Sequence, residues 1–183
     1  MSDSRAEISP PPAGLGPRLR VAHLDGSAPT PFDLRPDTAQ RAALAAWLEI
    51  PAIRALRLTG SIRPVGERDW LLEAALSATV VQPCVITLAP VATTLSEPVA
   101  RRYTPDLTTP EGDEIEMPED DTIEPLGAWI DLNSVLIEAL ELALPLYPRA
   151  EGAGLPPAAP EPQPETRKPF AGLAGLLRPE DKG

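Results

Sequence analysis

The chain has 183 residues, a formal net charge of −11, one cysteine and one histidine. These counts exclude a disulfide within the chain and a zinc cluster of several Cys and His ligands. No run of about 18 apolar residues is present, and the polar N-terminus lacks the apolar core of a secretion signal. We therefore expect a cytoplasmic protein with no membrane partner.

The negative charge is concentrated in one part of the chain. Residues 103–147 carry 12 acidic side chains and no Lys or Arg, whereas residues 1–102 carry 11 Arg against 10 acids. A uniformly acidic chain would repel the phosphates of nucleic acid. Because the rest of this chain is close to neutral, a local arginine surface remains compatible with RNA contact.

The 25 prolines are far above the usual level of about 5% and are frequent near both ends. Proline removes a backbone donor, so such stretches favour extended or disordered chain. We predict a disordered tail over residues 1–17 and a single α+β domain over residues 18–149. Residues 150–183 are predicted to be a Pro-rich linker and a short apolar tail segment.

The first predicted elements are a strand and a helix. In Arg18–Leu24, period two places Leu19, Val21 and His23 on one face and Arg20, Ala22 and Leu24 on the other, which predicts a strand that ends at Asp25-Gly26. Asp37–Ile50 is rich in good helix formers, with Asp37 or Thr38 as N-cap, and Pro51 follows the helix.

Four strand-like runs follow. Residues 53–64 and 70–81 alternate with period two and are separated by a turn that contains Gly66, which predicts a hairpin. Cys84–Leu88 and Val91–Tyr103 suggest a second pair of strands.

The last part of the predicted domain is a loop and a helix. Residues 104–126 are acidic and proline-spaced, which favours a solvated loop. Trp129–Leu144 has an apolar stripe at helical spacing, an N-cap at Asp131 and a stop at Pro145. This helix is the strongest periodic signal in the chain.

Together these elements predict an α+β fold. An antiparallel sheet of two hairpins plus the N-terminal strand would have its apolar face covered by the two helices. The expected core consists of Leu56, Leu58, Ile62, Trp70, Leu72, Leu76, Val80, Leu136 and Leu140.

Five arginines form the first candidate site, on or beside the polar face of the predicted sheet. Guanidinium groups bind phosphate in a bidentate manner, so a strip of them would suit RNA. Tyr103 is the only adjacent aromatic residue, so the pattern does not predict base stacking. An ordinary solvated sheet face is the alternative. The residues are Arg57, Arg63, Arg68, Arg101 and Arg102.

The acidic loop forms the second candidate site. Its carboxylates do not match a calcium loop, and nothing indicates the apolar pocket that acid/base catalysis needs. A solvated loop and a binding site for a basic protein are both compatible with the pattern. The residues are Asp113, Glu114, Glu116, Glu119, Asp120 and Asp121, with Glu124 at the end of the loop.

Cys84 is the third candidate. It would need His23 as a spatial partner to act as a nucleophile, and a buried, hydrophobe-like cysteine is the favoured interpretation. We predict no enzyme activity, no cofactor, no metal ion and no small-molecule substrate.

The order of these parts resembles the large ribosomal RNA subunit accumulation protein family, YceD, in its short alphaproteobacterial form. The resemblance spans about residues 18–149 and the segment Lys168–Leu177. It is carried by VVQPCVITLAPV, by VARRYTPD, by IDLNSVLIEALELALPLYPR and by KPFAGLAGLL.

The resemblance implies a role in 23S rRNA accumulation and supplies no catalytic residues. Many members have a cysteine pair at the position of Cys84 and a cysteine-rich C-terminal segment, and this chain has neither. The leading hypothesis is a non-enzymatic factor in large ribosomal subunit biogenesis that binds 23S rRNA or the proteins that assemble on it. The alternative is an acidic module that holds a basic protein without contacting RNA.

Overall fold

The computed structural model of the protein describes residues 10–105 and 123–154. Of these, the residues up to Ala153 belong to one compact unit. Residues 1–9 and 155–183 of the predicted tails lie outside the described residues, as do residues 106–122 of the acidic loop, whereas Leu15 of the predicted N-terminal tail is buried in the core. In chain order the elements are β1 (Arg18–Arg20), a 3₁₀ turn (Val21–His23), β2 (Thr30–Leu34), α1 (Thr38–Trp47), β3 (Ala52–Val65), β4 (Asp69–Pro83), β5 (Pro90–Thr104), β6 (Ile123–Pro125), β7 (Trp129–Asp131) and α2 (Leu132–Ala143).

The fold is α+β, as predicted, with a mostly antiparallel five-stranded sheet in the order β2-β3-β4-β5-β6. The three long strands β3, β4 and β5 form an antiparallel meander, and β6 runs parallel to β5. The predicted hairpin between residues 53–64 and 70–81 is confirmed as β3 and β4.

The core lies on one face of this sheet. Alternate residues of β3 and β4 point into it, and both helices contribute side chains to the same cluster, including Leu44 of α1 and Leu136 and Leu140 of α2. All the predicted core residues belong to the cluster, with Trp70 partly buried at its margin. Period-two alternation therefore identified the buried face correctly.

Both helices begin where the sequence predicts an N-cap. Asp37 accepts a hydrogen bond from the amide of Gln40, whose side chain accepts one from the Asp37 amide, which completes a capping box. Asp131 caps α2 by accepting from the amides of Asn133 and Ser134. Within the described residues, neither helix is long and apolar enough to cross a membrane.

The prediction for the N-terminal strand is wrong in two respects. Only Arg18–Arg20 is extended, and Val21–His23 forms a 3₁₀ turn. This strand pairs with β7 in a separate two-stranded ribbon, and the edge of the main sheet is taken by β2. Pro31 is tolerated in β2 because an edge strand leaves one row of backbone groups unpaired.

Cys84–Leu88 is a turn and not a strand. The amide of Leu88 donates to the carbonyl of Cys84 at 2.9 Å, and the amide of Cys84 donates to the carbonyl of Ala89 at 2.8 Å. Pro83 pairs directly with Pro90, so this turn joins β4 to β5. The second predicted hairpin is thus the second half of one meander that shares β4.

Two boundaries near the acidic loop also differ from the prediction. Ile123–Pro125, placed in the loop by the sequence, forms β6 beside Arg102–Thr104. Trp129–Asp131, included in the predicted helical stretch Trp129–Leu144, forms β7, and α2 begins at Leu132, directly after the predicted N-cap Asp131. Three-residue strands carry too little periodicity to be recognised, because their pairing depends on partners distant in the sequence.

Candidate functional site

The side of the sheet that faces away from the core, called here the outer face, carries three of the five predicted arginines. Arg57 lies opposite Ser77, and Arg63 and Arg102 both lie opposite Leu71. Directly opposed residues of paired strands project from the same side, so these arginines share the outer face. Arg68 lies in the turn between β3 and β4.

Two of these arginines are neutralised by neighbouring carboxylates. Arg63 Nε lies 3.0 Å from Glu73 Oε2. Arg102 donates twice to Asp69 Oδ2, at 2.6 and 3.0 Å. Hydrogen bonds from Arg102 and then Thr104 hold the pKa of Asp69 below its usual value. This end of the outer face therefore carries little net charge.

Arg101 lies on the opposite side of the sheet from Arg102. It pairs in register with Leu72, which is fully buried in the core. Its side chain is 19% exposed, with Nε 2.9 Å from Glu124 Oε1 and Nη2 3.9 Å from Glu138 Oε2. The single arginine strip expected from the sequence is therefore divided between two faces of the sheet.

The other end of the outer face holds a groove of about 500 Å³, called here the arginine groove. Four arginines contributed by the β2–α1 connection, α1 and β3 line it, together with hydroxyl side chains from β4 and β5. None of its lining residues is acidic. The polar lining residues are Arg35, Arg41, Arg54, Arg57, Ser77, Thr79, Thr94 and Ser96.

One carboxylate approaches the groove from β2. Asp33 accepts from Arg57 Nε and Nη2 at 2.8 and 2.9 Å and from Arg35 Nη2 at 2.7 Å. Hydrogen bonds from Arg57 and then Arg35 hold the pKa of Asp33 well below its usual range. Asp33 is therefore ionised at neutral pH and offsets one of the two guanidinium charges that it contacts.

The other two arginines of the groove keep their full charge. Arg41 donates to the carbonyls of Pro36 and Ile53, at 2.7 and 3.2 Å, which fixes the guanidinium without neutralising it. Arg54 is exposed and makes no ion pair with the described residues. The groove therefore has a net positive charge, in a chain whose total charge is −11.

The sequence interpretation included only Arg57 of this groove. Arg54 reaches it because the pairing of β3 with β4 shifts register between Ile53 and Ala55. Such a bulge re-aims a side chain and is not visible in a period-two pattern. Four arginines lie between positions 35 and 57 with few acids among them. This clustering is the one signal in the sequence that indicates the arginine groove.

Cys84 is fully buried in the turn between β4 and β5. The amides of Ile86, Thr87 and Ala150 each donate to its Sγ at 3.4 Å. The hydroxyl of Thr87, followed by these amides, lowers the pKa of the thiol to about 6. His23 lies on the 3₁₀ turn and is not among the groups that contact this thiol.

The acidic residues proposed for protein binding, Asp113 to Asp121, lie outside the described residues, and their role stays a prediction. Within the part of the chain that the structure describes, no group of three or more His, Cys, Asp or Glu side chains is placed to hold a metal ion.

Comparison with known proteins places the chain in a family. No curated protein and no solved structure matches it. The family model described as large ribosomal RNA subunit accumulation protein YceD matches residues 72–177, which is more than half of the chain. The match begins in β4 and includes β5, Cys84 and α2. The chain therefore belongs to the YceD family, as its sequence motifs indicated.

Proposed function

We propose that this protein is a non-enzymatic factor in large ribosomal subunit biogenesis that supports 23S rRNA accumulation by binding the RNA backbone in the arginine groove. The observation that carries the proposal is the groove itself: four arginines line a concave surface, and among the described residues one carboxylate, that of Asp33, pairs with them. The family description supports the connection with large-subunit rRNA.

The chemistry of the groove suits phosphate. Guanidinium groups bind phosphate oxygens in a bidentate manner, and hydroxyls such as those of Ser77 and Thr94 donate to them as well. Contacts of this kind fix the position of the RNA and carry no sequence information. Sequence selection would then have to come from another part of the molecule.

Arg54 provides the sharpest test because it has no ion pair to lose among the described residues. Arg54→Gln should weaken binding to a large-subunit rRNA fragment and reduce the slope of log affinity against log salt by about one, since one phosphate contact is removed. The measurement is filter binding over a range of salt concentrations.

Arg63→Gln is the matched control, because Arg63 lies on the same strand but is paired with Glu73 outside the groove. It should leave both affinity and salt slope nearly unchanged. If Arg54→Gln binds like the wild type, the groove is not the RNA site. If the two variants are equally impaired, binding depends on total charge and not on the groove.

The alternative function is a module that holds a basic protein through its acidic loop. The observation that favours it is the excess of 12 acids without a Lys or Arg over residues 103–147. Changing the six loop carboxylates at positions 113–121 to their amides should abolish salt-sensitive capture of a basic ribosomal protein. Glu124 should be kept in this variant because it pairs with Arg101. Unchanged capture would refute the alternative.

A further inference from the structure

A second surface of the protein lies on the small ribbon formed by β1 and β7. Arg20 pairs with Trp129 and Arg18 with Asp131, so these four side chains project from the same side of the ribbon. Leu19 and Ile130 project from the opposite side, toward the core, and Ile130 is 1% exposed. The ribbon thus presents one aromatic and two cationic side chains together.

Trp129 is one of the large apolar residues that are exposed at the surface. The residue is 46% exposed, and the guanidinium carbons of Arg18 and Arg20 lie 5.8 and 5.7 Å from the ring centroid. These distances are those of cation–π contacts, which attract the arginines to the ring.

A cavity of about 340 Å³ adjoins this ring, at the lower end of the size range of small-molecule sites. It is therefore large enough for one aromatic heterocycle. Its walls combine apolar surface with side chains that can donate hydrogen bonds. The lining residues are Arg18, Leu19, Arg20, His23, Leu24, Thr30 and Trp129.

The charge of this cavity favours an anionic ligand. Arg18 pairs with Asp131 at 3.3 Å, which offsets one positive charge. Arg20 makes no ion pair with any described residue and is exposed. An exposed aromatic ring with an unneutralised guanidinium beside it is the combination that proteins use to stack an unpaired base and hold its phosphate.

The ring is also held on a fixed backbone. The amide of Val21 donates to the carbonyl of Ala128 at 3.1 Å, and the amide of Leu132 donates to the carbonyl of Pro17 at 3.2 Å. These bonds flank β7 on both sides and tie it to the chain around β1. Because these hydrogen bonds fix the backbone of β7, little backbone freedom is lost when the Trp129 ring binds a base.

We propose that Trp129 binds an unpaired nucleobase of single-stranded RNA by stacking, with Arg20 holding an adjacent phosphate. The inference rests on the proposed function, because it assumes that RNA is the ligand, and it adds that the RNA must be single-stranded at this point. An acidic peptide would be attracted by the same arginines but would gain nothing from the ring beyond apolar contact.

The test compares three ligands of equal length by fluorescence anisotropy: a single-stranded oligouridine, an abasic oligomer with the same phosphates, and an RNA duplex. Wild-type protein should bind the oligouridine about 10-fold or more tighter than the abasic oligomer, since stacking of one base on an aromatic side chain contributes that much. Trp129→Ala should remove this difference, and Trp129→Phe should retain part of it.

Tyr147→Ala is the matched control, because Tyr147 is an aromatic residue outside the ribbon and is 74% exposed. It should bind all three ligands like the wild type. Thermal unfolding of each variant shows whether the ribbon still folds, and if Trp129→Ala is unstable, the Trp129→Phe and Arg20→Gln variants carry the test.

The two proposals fail in different ways. If Trp129→Ala still prefers oligouridine over the abasic oligomer while Arg54→Gln weakens all RNA binding, the stacking site is refuted and the arginine groove stands. If wild-type protein binds none of the three ligands but captures an acidic peptide, RNA binding by the arginine groove and base stacking on Trp129 are both refuted. If wild-type protein binds the abasic oligomer as tightly as oligouridine, and Trp129→Ala does the same, Trp129 does not stack a base and its role is structural.

Discussion

The guanidinium of Arg101 lies 2.9 Å from the carboxylate of Glu124 and joins β5 to the parallel strand β6. The same guanidinium lies 3.9 Å from Glu138 of α2. Burial, then repulsion by Glu138, raises the pKa of Glu124, whereas Arg101 lowers it. Arg101 therefore links three elements around two carboxylates on the core side of the sheet.

Removal of this arginine should destabilise the fold. We expect Arg101→Met to lower the free energy of unfolding by about 1–3 kcal/mol, because the partly buried carboxylate of Glu124 and the exposed carboxylate of Glu138 lose their cation. Arg102→Met should cost less than about 1 kcal/mol, because the Arg102 side chain is 47% exposed against 19% for Arg101. Urea denaturation measures both. Equal losses would show that Arg101 is an ordinary surface residue.

Asp33 should restrain RNA binding in the arginine groove. Asp33→Asn releases Arg35 and Arg57 from a carboxylate, so affinity for an rRNA fragment should increase and the salt slope should steepen by about one. Glu73→Gln is the matched control, since it releases Arg63 outside the groove and should leave affinity unchanged. Filter binding across salt concentrations distinguishes them, and weaker binding by Asp33→Asn would contradict the groove model.

Local patterns predicted much of the fold. The N-caps at Asp37 and Asp131, and the alternation that buries Leu58 and Leu76, depend on residues close in sequence. The pairing of β1 with β7 depends on residues at opposite ends of the domain, so no local pattern contains it. Because Trp129 meets Arg20 only through that pairing, the contact between them was not predictable from the aromatic residues near the arginines in sequence.

The candidate site was predictable only in part for a related reason. The sequence shows which residues are arginines but not which of them have a carboxylate partner. Arg63 and Arg102 were predicted to contact RNA, yet each is paired across a strand with Glu73 or Asp69. Arg54 reaches the groove through a bulge in β3, which a period-two pattern does not reveal.

Gly60 should be essential to the sheet because β3 and β4 approach closely there. A Cβ at this position would lie 2.6 Å from the Cα of Ala74 and would also collide with the carbonyl oxygen of Glu73. Gly60→Ala should lower the free energy of unfolding by about 1–3 kcal/mol. At Gly26 an added Cβ meets nothing within 4 Å, so Gly26→Ala should stay within about 0.5 kcal/mol of wild type. Urea denaturation tests both, and equal stability would show that the strands adjust without cost.

The Cys84 thiol should titrate well below the usual range. Its pKa is about 6 because the Thr87 hydroxyl and the amides of Ala150, Thr87 and Ile86 donate to the sulfur, whereas an unfolded cysteine has a pKa of about 8.5. Between these two values the folded protein holds a thiolate and the unfolded chain a thiol. The free energy of unfolding should therefore rise with pH across that window, and this contribution is lost as pH falls through about 6.

Thiolate absorbance in the ultraviolet measures this titration directly, because the chain has a single cysteine. The native protein should titrate with a midpoint near pH 6, and Thr87→Val should move the midpoint upward because it removes the hydroxyl donor. Cys84→Ser should abolish the signal and flatten the dependence of stability on pH between 6 and about 8.5. A native midpoint close to that of the denatured chain would show that burial of the sulfur offsets its hydrogen bonds, and it would contradict this prediction.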